Sequence, residues 1–513
     1  MENNIKNLSK ELVKNNLKAT FGIPGSGMSL SLIDELEKYN IPFFLTNFEG
    51  SASLMASTYG LVSNSLGVSI SIKGPGLINS IPGISASWFE SFPLIHLAES
   101  YNYNSRKYLS HKRINQNIIS KEISKGSYYL NNDKNELNKI INFSKSEVPG
   151  PVLIQLQSKE KQNYFKSFIN YDFNTDEKSL KNLFQNCKKP LIILGSLASR
   201  KVNHNFINKI KLPVFTTAAA KGLFNEFKEN SLGIYTGVGL KLSHEFNIIN
   251  DSDLIIGVGL CPKELLSVKK FPCKSINFQS LEIDGNEKFK FDMVVDINYF
   301  EKYLNIIINN SWGLKKIKNI KKKLNYRMLG NFLPANVYEL INNIDNDIRS
   351  VFDTGFFCTI GEHILKSKKD NLCLMSANSK YMGTSIPMAI GASMGDKRTP
   401  VIVFIGDGGI GMYLSEVLLA VKNNLPILFI LFTDGGFASI RKSALNKGIT
   451  EKPLEFQNDW TGIFESFKIN SYRCDNISST YSIISNWTKK PCPFFLEIAF
   501  NKNKYLNMVN DLR

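Results

Sequence analysis

Asp407 and Asp434 stand 27 residues apart and close two apolar runs, VIVFIGDGGIGM and ILFILFTDGGFASIR. Each run has the character of a buried β-strand ending in an acidic-glycine turn. Two carboxylates at the carboxyl ends of adjacent strands can hold a hard divalent cation. The glycines beside them, Gly408 and Gly409 among them, let backbone amides approach a phosphate closely. Met412 to Asn423 reads as an amphipathic helix opened by the GDGG turn, and its N-terminus would also favour an anion. A lone GDG says little. Two acidic turns at this spacing point to a Mg²⁺–diphosphate site.

A third acidic residue, Glu49, follows the apolar run IPFFLTNF and opens the small-residue stretch SASLMASTYGL. Taken alone, a Glu at a helix start is a dipole-favourable cap. A family resemblance gives it chemistry. The chain resembles the thiamine-diphosphate (ThDP) enzymes of the acetolactate synthase and 2-oxo acid decarboxylase group. Their signature is GDG followed by a double-asparagine or Asn-Asp turn, with a Glu ahead of an Ala-rich helix ending in Met-Ala and Tyr. Here Gly406-Asp407-Gly408, Thr433-Asp434-Gly435-Gly436, and Glu49 with Met55, Ala56 and Tyr59 fall in register. The resemblance implies that Asp407 and Asp434 bind Mg²⁺ by their side chains and Gly436 by its carbonyl. Thr433 stands where Asn is usual. It also implies that Glu49 is the acid hydrogen-bonded to the aminopyrimidine N1′, which promotes loss of the thiazolium C2 proton. The family's common His before this Glu is Phe48 here.

Other segments extend the likeness. NSKYMGTSIPMAIGA is similar to the family's GxMGxxxPAAIGA, so that Met382 would wedge beneath ThDP, beside Gly383, and hold its rings in a V. Asp353-Thr354-Gly355 fits the loop that reaches the diphosphate, and Phe437 and Ala438 follow the second acidic turn on the cofactor side. Gly25 and Ser26, in GIPGSG, and Gly74, Pro75 and Asn79, in GPGLIN, would line the aminopyrimidine and substrate side. Where acetolactate synthases carry a Phe-Gln-Glu run, this chain reads His111-Lys112-Arg113-Ile114-Asn115-Gln116. Those charges suit an anionic substrate, or equally an exposed helix start. The other histidines, at 96, 204, 244 and 363, have no partner pattern and read as structural.

These residues need elements to position them, and strands alternate with helices along the whole chain. Residues 1–165 read as a helix near Leu8 to Asn16, then ATFGIP, FFLTNF, VSISIKG and PVLIQL as strands, with a helix from Ser51 among them. A second unit, 180–310, has the strands PLIILG, LPVFTT and DLIIGVG. A Lys-rich connector near 310–328 leads to the third, 330–513, with SVFDTG, NLCLMS, the two acidic-turn strands and PFFLEIAF. The expected fold is α/β: three doubly wound parallel-sheet domains, pyrimidine-binding, central and diphosphate-binding, the first and third being one fold used twice.

Composition is consistent with this. The 513 residues suit about three domains, with 43% apolar and 21% charged residues. The longest apolar run, Leu425 to Phe432, is too short to span a bilayer, and the N-terminus lacks an apolar signal core. Seven scattered cysteines without a CxxC pair indicate neither a disulfide framework nor zinc, so a cytoplasmic, reduced protein is expected. The net charge of +17 comes without aromatic-interleaved basic motifs, which argues against nucleic acid. In relatives the central domain binds FAD, a nucleotide, or nothing. Leu260-Cys261-Pro262 replaces the family's basic residue after GVG, which disfavours FAD. The resemblance therefore implies a ThDP- and Mg²⁺-dependent decarboxylation of a 2-oxo acid with transfer to a carbonyl acceptor. The alternatives are a simple decarboxylase releasing an aldehyde and a catalytically silent ThDP-fold subunit. Because the family's cofactor lies between the first unit of one chain and the third of another, a homodimer or homotetramer is expected.

Overall fold

Three parallel sheets, one per domain, organise the chain. The computed structural model describes residues 2–101, 111–156, 164–165, 175–238, 244–267, 270–280, 289–330, 332–456 and 458–509. The first sheet contains β1 (Thr20–Gly22), β2 (Phe43–Leu45), β3 (Val68–Ser71), β4 (Leu94–Glu99), β5 (Gly126–Tyr129), β6 (Pro151–Leu156) and β7 (Tyr164–Phe165). Their order is β2-β1-β3-β4-β6-β5-β7, parallel except at the two-residue edge strand β7.

The second sheet holds β8 (Pro190–Leu194), β9 (Val214–Thr216), β10 (Ser231–Ile234), β11 (Leu254–Val258), β12 (Lys274–Gln279) and β13 (Met293–Asp296). The third holds β14 (Arg349–Phe352), β15 (Cys373–Met375), β16 (Val401–Gly406), β17 (Ile427–Thr433), β18 (Asn470–Cys474) and β19 (Phe494–Ala499). The third runs β15-β14-β16-β17-β19-β18, which repeats the order of the first sheet's six parallel strands. The second, β10-β9-β8-β11-β12-β13, has instead the order of dinucleotide-binding domains. The doubly wound α/β expectation holds in all three.

The central strands are continuous apolar runs because helices cover both faces; β17 is buried at six of its seven positions. The first and third domains share one core. Helix α1 (Glu49–Ser63) lies along helix α2 (Ser385–Gly395), and Ala52, Met55, Ile386, Ala389 and Ile390 form one cluster with β16 and β17. A Cβ at Gly391 would meet the Met55 carbonyl oxygen at 2.3 Å and Thr58 Oγ1 at 2.4 Å, so glycine is what lets the two backbones touch. Met55 and Ile390 are fully buried, each contributing about 1.5–3 kcal/mol. The small-residue composition of both helices follows from this close approach.

Four sequence expectations shift. The first helix spans Glu2–Lys14, because Ile5, Leu8 and Leu12 form its buried stripe and Asn16 already has φ 67°. Helix α1 starts at Glu49 itself rather than Ser51, with Phe48 as its N-cap. The Lys-rich connector is a packed helix, Leu314–Met328, whose Ile317 enters the central core while Leu324 and Met328 enter the third-domain core. The single helix expected after GDGG is broken: Asp407–Ile410 forms one helical turn, then a 3-10 turn at Leu414–Glu416 precedes Val417–Lys422. The break turns Glu416 toward the first domain, where its carboxylate is held (below), and it removes the long-helix argument for anion binding. Among the described residues, no helix is long and apolar enough to cross a membrane.

Candidate active site

The singled-out residues gather at the carboxyl ends of strands in the first and third sheets, where open α/β sheets carry their ligand sites. Gly406 ends β16 and pairs in register with Phe432 of β17, which places Asp407 beside Thr433 and Asp434. Asp407 Oδ1 accepts the Thr433 hydroxyl at 2.7 Å, and Oδ2 accepts the amides of Asp434, Gly435 and Gly436 at 3.1–3.2 Å. Burial raises the Asp407 carboxyl, against the pull of these donors. Burial also pushes Asp434 up to about 6; Arg441 opposes that shift and the nearby Asp407 adds to it. A cavity of about 410 Å³ meets both aspartates. This donor set fits a divalent cation: two buried carboxylates destabilise one another, and Oδ1 of Asp407, with two lone pairs and one donor, has room for it.

The turn is packed too closely against its neighbours for side chains at its glycines. A Cβ at Gly408 would sit 2.3 Å from the Phe437 ring and 3.0 Å from the Met382 sulfur, and one at Gly409 would strike Asp353 at 2.4 Å. Asp353 is buried and organises this region. Its oxygens accept the Gly383 amide at 2.9 and 3.0 Å, the Thr354 amide at 2.7 Å and the Ser385 hydroxyl at 3.0 Å, while burial pushes its carboxyl up to about 6. Gly383, at φ 84°, requires glycine for this turn. Gly355 caps the helix Phe356–Ile364, and Phe437 caps Ala438–Asn446, so Ala438 opens that helix.

The first-domain residues lie after β1, β2 and β3. Glu49 is buried, and the Asn79 side-chain amide donates to its Oε2 at 3.1 Å. Its Oε1 lies 3.3 Å from where a Cβ at Gly76 would stand. Gly74, at φ 64°, precedes helix α3 (Pro75–Glu90), with Pro75 at its first position. Gly25 donates to Ser29 Oγ at 2.9 Å, and a Cβ there would meet Ile72 at 2.7 Å and Glu99 at 3.0 Å, so the Gly25-Ser26 loop lies tight against the Glu99 carboxylate. His111 and Lys112 lie in an exposed turn, and the next helix, Gln116–Ser120, is capped by Asn115 four residues beyond His111. They do not start that helix.

Two comparisons with known proteins bear on this arrangement. Family profiles described as thiamine pyrophosphate enzyme match consecutive stretches: the N-terminal TPP binding domain over residues 5–124, the central domain over 178–345, and the C-terminal TPP binding domain over 353–498. The chain belongs to the thiamine pyrophosphate enzymes. It is similar over nearly its whole length to an uncharacterised protein of Methanocaldococcus jannaschii, with 24% identity over 97% of this chain and 98% of that one. It is equally similar, at 24% identity over 97% of this chain and 92% of the relative, to the acetolactate synthase large subunit of Porphyra purpurea. An acetolactate synthase of Bacillus subtilis shares 21% over 98% and 93%.

The thiamine pyrophosphate enzyme fold also poses the question of FAD, and the central domain's residues do not fit it. With this strand order a dinucleotide lies across the crevice between β8 and β11, its pyrophosphate on the amides of the first turn. Here the Ser196 amide of that turn goes to Glu264 Oε1 at 2.6 Å, and Glu264 is buried, with burial raising its carboxyl. A buried carboxyl group on that amide takes the place a pyrophosphate oxygen would need.

Two residues of this thiamine pyrophosphate enzyme act across domains and carry no local sequence signal. Glu416, fully buried, accepts the amides of Asn47 and Phe48 at 3.0 Å and the Ser51 hydroxyl at 2.5 Å, and so fixes the start of the helix that bears Glu49. Glu90, at the end of α3, accepts the amides of Ala377, Asn378 and Ser379 at 3.0–3.2 Å and the hydroxyls of Ser376 and Ser379 at 3.0 Å, just before Met382. Burial raises both carboxyls against these donors. Arg441, also buried, was not singled out from the sequence either; its Nη1 pairs with Asp434 Oδ2 at 2.8 Å and its Nε lies 3.3 Å from Glu451. Phe48, in place of the family's His, packs its ring 5.9 Å from that of Tyr413.

Proposed function

We propose that the protein is a ThDP- and Mg²⁺-dependent enzyme that decarboxylates a 2-oxo acid and transfers the resulting acyl unit to a carbonyl acceptor. The observation that carries this reading is Glu49: a buried carboxylate, oriented by Asn79, at a helix start pinned from the other cofactor-binding domain. An idle scaffold has no use for that arrangement. When bound, ThDP supplies a carbon nucleophile and an electron sink for loss of CO₂. Glu49 would give and retake a proton at the aminopyrimidine N1′. Asp407, Asp434 and the Gly436 carbonyl would hold Mg²⁺, with Gly408 and Gly409 leaving room for the diphosphate. Met382, held in place through Glu90 and Asp353, would support the cofactor from beneath. Phe48 removes a polar group from the neighbourhood, and an apolar lining disfavours a charged substrate carboxylate relative to its neutral product.

Exposed apolar side chains support a homodimer or homotetramer. Ile78 stands beside Asn79, and Met412, with its sulfur 2.8 Å from the Cβ position at Gly383, flanks the other half of the site. Both are about half exposed in the single chain, a state that a second copy would relieve. The function is tested with the purified protein, ThDP, Mg²⁺ and a panel of 2-oxo acids, with and without aldehyde acceptors. The expected result is CO₂ release that needs both cofactors and yields a hydroxyketone. Aldehyde as sole product, whatever the acceptor, would make it a simple decarboxylase; no CO₂ from any acid would make it a silent ThDP-fold protein.

A further inference from the structure

We propose that Arg441 is a specificity-determining residue for the cation. By occupying one oxygen of Asp434 it restricts the site to ions that take a single oxygen from each aspartate, and so favours Mg²⁺ over Ca²⁺. This deepens the function proposed above and rests on its assignment of Asp407 and Asp434 to a metal. The two cations ask different things of carboxylates. Mg²⁺ takes six ligands in a tight octahedron at about 2.0–2.1 Å, a shape that the narrow bite of a two-oxygen carboxylate distorts. Ca²⁺ takes about six to eight oxygens at about 2.3–2.6 Å and commonly draws on both oxygens of one carboxylate.

In each aspartate the second oxygen is already committed. Asp407 Oδ2 accepts the amides of Asp434, Gly435 and Gly436 at 3.1–3.2 Å. Asp434 Oδ2 accepts Arg441 Nη1 at 2.8 Å, and the same nitrogen donates to the Asp434 main-chain carbonyl at 3.3 Å. The guanidinium therefore clasps residue 434 at two points and fixes the rotation of its side chain. What each aspartate can offer a metal is its other oxygen, Oδ1.

Neither the guanidinium nor the turn is free to give way. The Arg441 side chain is 1% exposed, its amide donates to the Phe437 carbonyl at 2.8 Å, and its Nε lies 3.3 Å from Glu451, which Lys502 holds at 3.1 Å. Freeing Oδ2 for a second bond to Ca²⁺ would take from this buried charge its closest partner. The turn is closed by a bridge to the segment 454–456: the Phe437 amide donates to the Leu454 carbonyl at 3.2 Å and the Phe456 amide to the Gly435 carbonyl at 2.9 Å. A Cβ at Gly436 would meet Arg441 Nη2 and the Leu454 carbonyl oxygen, each at 2.4 Å, so that turn, guanidinium and bridging segment pack without slack. Ligand number and rigidity separate magnesium sites from calcium sites, and here both point to Mg²⁺.

The test measures ThDP affinity by calorimetry at the same excess of Mg²⁺ or of Ca²⁺, with no turnover required. Wild type should bind ThDP about tenfold tighter or more with Mg²⁺. In Arg441→Met the two affinities should come within about threefold, because Asp434 can then offer both oxygens; a partner that orients a metal ligand is typically worth about ten- to a hundredfold. Damage to the fold alone would weaken both complexes and leave their ratio as it was. If Arg441→Met does not fold, Arg441→Gln, too short to reach Oδ2, carries the comparison. Equal support by both cations in wild type, or a ratio that the folded variant keeps, overturns the proposal. ThDP binding that neither cation alters would remove the metal from the function proposed above and this inference with it, whereas equal support by both would sink this inference alone.

Discussion

Glu416 of the third domain holds the backbone amide of Phe48, the residue before Glu49, at 3.0 Å. Glu90 returns the contact, from the first domain to the loop that precedes Met382. Each cofactor-binding domain thus fixes the other's functional segment through one buried carboxylate. Glu416→Gln puts an amide where the donors of Asn47, Phe48 and Ser51 need an acceptor, and a buried donor left unpaired costs about 1–3 kcal/mol. We expect ThDP affinity to stay within a few-fold while exchange of the cofactor's C2 proton slows by about tenfold or more, since Glu49 loses its fixed position. Exchange at the wild-type rate in a folded variant would remove Glu416 from the positioning of Glu49.

Asp407→Ala removes a carboxylate that would face the metal and that organises the amides of residues 434–436. Mg²⁺-dependent ThDP affinity should fall at least tenfold, about 1.4 kcal/mol or more. Arg441 already pairs with Asp434, so a metal would have to share that carboxylate, and the loss of Asp407 would weaken its hold further. Calorimetry with and without Mg²⁺ decides the point; unchanged binding would refute the metal assignment.

His96 offers a pH test of the first-domain core. Its ring is buried between Ser69 Oγ at 2.8 Å and Ser71 Oγ at 3.0 Å, and burial lowers its pKa to about 3. The unfolded chain takes up this proton near pH 6.5 whereas the folded protein refuses it, so stability is lost as pH falls from 6.5 toward 3. The loss amounts to about 1.4 kcal/mol per pH unit at most. In urea titrations at pH 7 and pH 5, His96→Gln should be less stable at pH 7 and lose less between the two. Equal losses in both proteins would show that His96 does not contribute to the acid sensitivity.

Assembly is a further prediction. Glu49 and Asp407 lie in different domains, and exposed apolar residues flank both halves of the site. Sedimentation should give a dimer or tetramer, and a two-fold pair would complete two sites from one interface. A monomer with full activity would contradict this.

Much of this was legible in the sequence because the signals are local. β16 and β17 are unbroken apolar runs, as strands covered on both faces must be, and their acidic turns follow at once. Strands at or next to an edge were harder: β18 is mostly exposed and β5, beside the edge strand β7, is four residues long, so neither has a distinctive pattern. The helix expected after GDGG failed because its 3.6-residue periodicity does not register the tertiary contact that turns Glu416 aside. Glu416 and its partners at 47 and 48 are more than 360 residues apart, and no window of sequence joins them. Arg441 was overlooked for a related reason. A buried arginine on a short polar helix looks like a surface residue until its two acids are in place.

The central claim is that this site uses Glu49 to move a proton, and exchange at ThDP C2 reads that step without knowledge of the substrate. Glu49→Gln keeps the size and the Asn79 contact but cannot supply the acid proton at N1′. Hydrogen–deuterium exchange of bound ThDP, followed by quenched-flow NMR, should slow by roughly a hundred- to ten-thousand-fold in the variant. ThDP should still bind, because the residues proposed to hold the metal and the diphosphate sit in the third domain. Equal rates in wild type and variant would contradict the account, and slow exchange in both would mark a protein that binds ThDP without using it.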